Sequence, residues 1–179
     1  MTADFVNKAI ALGTIVGLLG FVFGLFFLFQ KGKVVSSDLA KKSLLASFLL
    51  SLIATLGSLY YSEIVHFPPC KFCWLQRIFL FPQVILLGIA YYKKDFGIAV
   101  YSLALSTIGA VLALNHSFLQ QFNFSVLPCS ASGGVSCEKV LVSEFGFVTI
   151  PVMSLTVFLL LILGMLYVRR YQKQESHSL

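Results

Sequence analysis

Pro69-Cys70-Lys71-Phe72-Cys73-Trp74-Leu75-Gln76-Arg77 decides the reading of this chain. It holds a Cys-x-x-Cys pair with an aromatic residue and an arginine behind it, and an apolar run follows at once. Pro68 and Pro69 favour extended backbone before the pair, so a helix starts there with Cys73 near its N-terminus. Free backbone N–H groups and the helix dipole at such a start favour an anion, and hence a thiolate. Arg77, four residues beyond Cys73, shares its helical face. A thiol pair at the mouth of an apolar helix, with a fixed cation one turn deeper, suits redox chemistry at a membrane surface. The plainer alternative is a structural disulfide, with Arg77 only snorkelling to the headgroups.

The rest of the chain places that helix in a bilayer. Hydrophobic residues make up 58% and charged residues 11% of the 179 positions, against about 25% charged in soluble domains. The charges leave long gaps, and a span needs about 20 mostly apolar residues. Five runs qualify: Ala9 to Phe29, the stretch between Lys42 and Glu63, Trp74 to Tyr92, the stretch between Asp95 and His116, and Phe147 to Val168. Backbone hydrogen bonding in lipid makes each a helix. The first reads as a span rather than a signal peptide. Its apolar core is long, no small-x-small cleavage site follows, and Lys31 and Lys33 come after it. The expected architecture is one small all-α membrane bundle rather than two globular domains. The polar tail from Gln172 to Leu179 is expected to fray.

Basic residues set the topology. By helix parity Lys31, Lys33, Lys41, Lys42, Lys93, Lys94, Arg169, Arg170 and Lys173 share one side. Lys8, Lys71, Lys139 and the interfacial Arg77 share the other. The richer side is expected in the cytoplasm, with the C-terminus. The net charge of +6 therefore reads as membrane orientation, with no nucleic-acid partner expected.

Parity also brings the four cysteines to one side. Cys70 and Cys73 precede the third run, and Cys129 and Cys137 lie in the loop before the fifth. That outer side is the oxidising one, where disulfides persist. Ser, Ala and Gly between Cys129 and Cys137 predict a mobile segment. The second pair is either a structural disulfide or a shuttle that exchanges with a soluble dithiol and then with the first pair. Zinc is the competing reading of four cysteines. Cys-x2-Cys with Cys-x7-Cys is not a common zinc spacing, and no metal is expected. The fourth run ends at Asn115-His116, which puts His116 at the depth of Arg77 and within reach of a headgroup-level ligand.

Cys70-Lys71-Phe72-Cys73-Trp74-Leu75-Gln76-Arg77, after a helix ending Gly57-Ser58-Leu59-Tyr60-Tyr61-Ser62-Glu63, resembles the DsbB/BdbC disulfide bond formation proteins. So does Glu144-Phe145-Gly146-Phe147-Val148-Thr149-Ile150-Pro151 after the second pair. The likeness covers residues 44–168 and implies a four-helix transmembrane core. Residues 1–43 then add one extra N-terminal transmembrane helix and a cytoplasmic loop, and 169–179 form a cytoplasmic basic tail. The resemblance implies a multi-pass protein of the bacterial cytoplasmic membrane that reoxidises a DsbA-like thioredoxin-fold protein. Electrons would pass to a membrane quinone, ubiquinone or menaquinone. It implies that Cys129 takes the mixed disulfide with the partner and that Cys137 exchanges with Cys70. Cys73, Arg77 and His116 would face the quinone. A vitamin K epoxide reductase-like enzyme is disfavoured because its loop pair precedes its Cys-x-x-Cys. A non-enzymatic subunit with two structural disulfides leaves the position of Arg77 unexplained.

Overall fold

The computed structural model describes residues 2–30, 35–124, 126, 129 and 136–177. Lys31 and Lys33, used for the topology, and the residues expected to be mobile at 130–135 lie outside the described ones. Five helices carry the chain: α1 (Thr2–Phe29), α2 (Ser37–Leu59), α3 (Lys71–Lys93), α4 (Ile98–Phe122) and α5 (Ile150–His177). All five are long and apolar enough to cross a membrane. The chain is a multi-pass helical membrane protein. A two-residue hairpin, β1 (Ser143–Glu144) and β2 (Val148–Thr149), pairs antiparallel just before α5. Phe145 and Gly146 turn between its strands with positive φ.

Local chemistry sets the helix ends. Ser36 caps α2, its hydroxyl accepting from the Leu39 N–H at 3.3 Å, and Asp38 sits in the first turn beside the helix dipole. Lys94 and Asn123 close α3 and α4 in the left-handed region. Pro151 lies in the first turn of α5, where a missing N–H costs nothing. Pro82 lies inside α3, and the amide of Gln83 donates to the Phe79 carbonyl beside it at 2.9 Å.

Two expected ends move. The fourth helix does not stop at His116; it runs on to Phe122, with the Asn123 N–H donating to the Leu119 carbonyl at 3.0 Å. Leu119 is buried against the cysteines, and that packing carries the helix past its apolar run. The tail is helical to His177 rather than frayed from Gln172. There Gln174 accepts a hydrogen bond from the Val35 N–H at 3.0 Å, which ties the tail to the start of α2.

Helices α2, α3, α4 and α5 pack in that cyclic order, each against the next, and α5 closes on α2. Their shared core includes Leu44, Leu80, Leu87, Phe158, Leu161 and Met165. A polar knot sits inside it. Gln83 of α3 accepts from Ser102 at 2.6 Å and Ser106 at 3.1 Å, both on α4. All three are fully buried and act as glue where lipid offers no hydrophobic drive between helices.

Helix α1 lies outside this bundle, against α5. It fits closely at Gly24, where a Cβ would collide with Leu163. Tyr167 donates to the Gly24 carbonyl at 2.7 Å, and the Arg170 guanidinium bonds the Leu28 carbonyl near the helix C-terminus. At the other end Tyr61 donates to the Asn7 side-chain oxygen at 2.8 Å. Tyr61 belongs to a π-helical turn, Tyr60–Ile64, that ends α2. The extra helix is therefore pinned to the core at both ends.

Candidate functional site

Both cysteine pairs meet at one end of the bundle. Cys70 is the N-cap of α3, in extended conformation after the prolines, and its Sγ accepts from the Cys73 N–H at 3.4 Å. Cys73 lies in the first turn, near the helix start as expected, and Cys70 holds the capping position itself. Both thiols are free, with Sγ atoms 2.9 Å apart. The chain closes a disulfide between Cys129 and Cys137, Cα atoms 6.3 Å apart. Cys137 is buried and Cys129 half-buried. Cys70, Phe72, Leu119 and Cys137 form one buried cluster, with Cys73 and Cys129 packed on it.

His116 occupies the joint between the pairs. It is 1% exposed, deep in α4 because the helix continues beyond it. Its Nδ1 lies 3.2 Å from the Gln76 amide nitrogen. With that amide donating, Nε2 carries the ring proton and points at the Cys137 carbonyl, 3.2 Å away, and at Cys70 Sγ, 3.7 Å away. Gln120 donates to the carbonyls of Cys137 and Lys139, fastening the loop to α4. The Cys70 thiol is held well below the usual thiol range. The main cause is the hydrogen bond from the Cys73 thiol; burial opposes it, and His116 and the Cys73 N–H add to it. Cys70 is thus prepared as a thiolate.

Arg77 is 9% exposed. Its Nε donates to the Ser58 hydroxyl and one terminal nitrogen to the Ser58 carbonyl, both at 2.8 Å. Its guanidinium lies 5.2 Å from the Trp74 ring centre and 6.0 Å from that of Phe81. No carboxylate pairs with it among the described residues. A buried cation balanced only by dipoles and aromatic faces is costly, and it attracts negative charge that develops beside it.

A cavity of about 730 Å³ opens next to Arg77. Cys73, Gln76, Arg77, Ser58 and His116 are among its polar lining, and mostly apolar side chains, chiefly of α1, α2 and α5, form the rest. Its size and mostly apolar wall, with a few convergent polar groups, suit a flat amphipathic molecule. Cys70 does not line it; Cys70 lines a cavity of about 30 Å³ on the loop side, with Gln120, Ser136 and Lys139. Cys73 lines both spaces, whereas Cys70 opens only onto the small one, and both thiols lie within reach of His116.

Cys70, Cys73 and His116 also bring their donor atoms within 4.8 Å of one another. A closed structural zinc site takes four protein ligands, and this group comprises three. Cysteine spacing and an oxidising outer face do not reveal this set, because His116 comes from α4. Sequence reasoning also gave no role to Gln76, Ser58 or Gln120. Gln76 stood inside the quoted motif, and Ser58 inside the helix ending before it. Only their packing partners, from other helices, reveal their contacts.

The family profile described as disulfide bond formation protein DsbB matches residues 40–168. The chain belongs to the DsbB family. It is 48% identical over 117 residues to a probable disulfide formation protein C of Bacillus cereus, covering 65% of this chain and 84% of that one. It is 44% identical over 124 residues to disulfide bond formation protein C of Bacillus subtilis, with 68% and 88% covered. A prophage-derived disulfide bond formation protein B of Bacillus subtilis is 40% identical over 140 residues, with 76% and 94% covered. No solved structure matches the chain significantly. Membership makes this an oxidoreductase of membrane disulfide formation. The DsbB profile begins at residue 40, so α1 lies wholly outside it.

Proposed function

We propose that the chain reoxidises an extracytoplasmic DsbA-like thioredoxin-fold dithiol and delivers the electrons to a membrane quinone. One observation carries this reading: Cys73 lines the large cavity with Arg77, while Cys70 faces the loop disulfide through His116. A relay needs one thiol toward the donor and its mate toward the acceptor.

Exchange begins at the half-buried Cys129. A partner thiolate attacks its Sγ, the Cys129–Cys137 bond breaks, and Cys137 leaves as a thiolate. The partner's second thiol then releases Cys129 and becomes the partner's disulfide. With Cys70 and Cys73 oxidised, Cys137 attacks Cys70 and Cys73 departs. Cys129 next displaces Cys70 from Cys137, which restores the loop disulfide and leaves Cys70 and Cys73 reduced. Each transfer moves two electrons as a bond pair, and each needs a thiolate and a reachable sulfur. His116 favours Cys70 as the leaving thiolate by aiming Nε2–H at it. Bound quinone supplies a sink for two electrons and two protons. Arg77 stabilises negative charge at the cavity wall as the Cys70–Cys73 bond re-forms. The residues fit that group: an apolar chamber with a thiol, a cation and an imidazole at one end. The basic residues support a cytoplasmic C-terminus in a bacterial inner membrane, with the cysteines outside.

The test is quinone reduction by the purified protein, supplied with a reduced thioredoxin-fold dithiol and a soluble quinone. Wild type is expected to turn over and Cys73→Ser to be inactive. A wild type with both disulfides formed that reduces no ubiquinone or menaquinone analogue would overturn the reading.

A further inference from the structure

Helix α1 forms part of the wall of the large cavity. Val6, Ala9, Ile10, Gly13 and Thr14 line it, the three-to-four spacing of a single helix face. Helix α2 contributes Ile53, Ala54 and Gly57, among others, to the same cavity. Helix α1 packs along α5 but has no comparable packing against α2. Beyond the contact of α1 with Tyr60 and Tyr61 at the end of α2, comparable packing does not close the flank of the cavity between α1 and α2.

Each of these two helices brings one glycine to the cavity. Gly13 on α1 and Gly57 on α2 both line the cavity, and a Cβ built on either meets no atom within 4 Å. The contrast within α1 is informative. At Gly17 and Gly24 a Cβ would press on Thr156, Leu160 or Leu163 of α5, so those glycines serve docking. A Cβ at Gly13 would meet nothing, so close docking does not require a glycine there. A glycine costs a helix about 1 kcal/mol relative to alanine, and the space it leaves here belongs to the cavity.

We propose that Gly13 and Gly57 form a lateral gate through which an isoprenoid quinone passes from the lipid to Cys73 and Arg77, with α1 as the outer wall. This rests on the quinone reading above and adds two specificity-determining positions and a role for the extra helix. A side chain added at either glycine would start into open space beside the cavity, since its Cβ would displace no protein atom.

The experiment compares Gly13→Ala, Gly13→Leu, Gly57→Leu and a control, Gly20→Leu. A Cβ at Gly20 would also meet open space, yet Gly20 does not line the cavity. Binding of decylubiquinone and of a short-tailed menaquinone is followed by quenching of Trp74, the one tryptophan of the chain, whose ring lies 5.2 Å from the Arg77 guanidinium. Both leucine variants at the gate are expected to bind about tenfold more weakly, the scale of a forced overpacking. Gly13→Ala should fall between, and Gly20→Leu should match wild type. Reduction of the loop disulfide by a dithiol, measured without quinone, should be unchanged throughout, which also reports that each variant is folded. If the gate variants bind like Gly20→Leu, or if Gly13→Ala and Gly13→Leu weaken binding equally, the gate is wrong while the quinone reading stands. If wild type binds and reduces neither quinone, both fall together.

Discussion

Helix α3 buries polar side chains at two levels, and they behave differently. Six residues separate Arg77 from Gln83, about 9 Å along the helix. Gln83 closes on itself: its oxygen takes Ser102 and Ser106, and its amide takes the Phe79 carbonyl. Arg77 uses Ser58 on one side and leaves its charge beside a cavity without a carboxylate partner among the described residues. Buried polarity that satisfies itself holds helices together. Buried polarity that stays open to a cavity is available to a ligand, and in this chain it lies beside the thiols.

Substitutions sharpen that contrast. The largest effect is expected at Cys70→Ser and Cys73→Ser, where turnover should vanish while detergent-solubilised protein keeps its fold; measurable turnover in either would break the proposed relay. Next comes Arg77→Lys. A lysine cannot reproduce the two-pronged contact with Ser58, so the quinone KM should rise about tenfold, the weight of roughly one lost charged hydrogen bond. His116→Phe addresses Cys70 through pH. Because the Cys70 thiol is held low, its thiolate persists below the ordinary thiol range and wild-type turnover should be nearly flat around neutrality. Without the imidazole that thiol rises in part while the Cys73 hydrogen bond still holds it down, so the acid limb of the turnover profile should move to higher pH, and an unshifted limb in the variant would remove His116 from the relay. Smallest is Gln83→Leu. It should lower stability by about 1 kcal/mol, typical for a polar contact between membrane helices, with kcat and KM unchanged. A raised quinone KM there would erase the distinction between the two levels.

Much of this was legible in the sequence. The five spans follow from where charges are absent, and the helix start at Pro69-Cys70 from proline chemistry. That Arg77 shares a face with Cys73 follows from a spacing of four. The length of α4 was not legible, because Ser117 to Phe122 reads as the start of an outer loop until Leu119 is seen buried among the cysteines. The same lost turn kept His116 at the rim, as a ligand for the cavity alone, when Nε2 also faces Cys70 and Cys137. Ser58 carried no signal, since a hydroxyl one turn from a helix end is ordinary until a guanidinium from another helix settles on it. Helix α1 gave the opposite case. Its span was plain, but its part in the cavity depends on which glycines touch α5, and no periodicity distinguishes Gly13 from Gly17.

The pairing of Asn7 with Tyr61 fixes more than the position of α1. It sets the beginning of that helix at the cysteine end of the bundle, while the Arg170 contact holds its other end at the far face. A four-helix core alone would begin at the far face. Here a dithiol domain joined ahead of α1 by a short linker would be tethered on the same side as Cys129 and Cys137, at an effective concentration on the order of millimolar. The extra helix thus offers, at the beginning of α1, an attachment point for an engineered donor and a route to a single-chain oxidase with its own substrate.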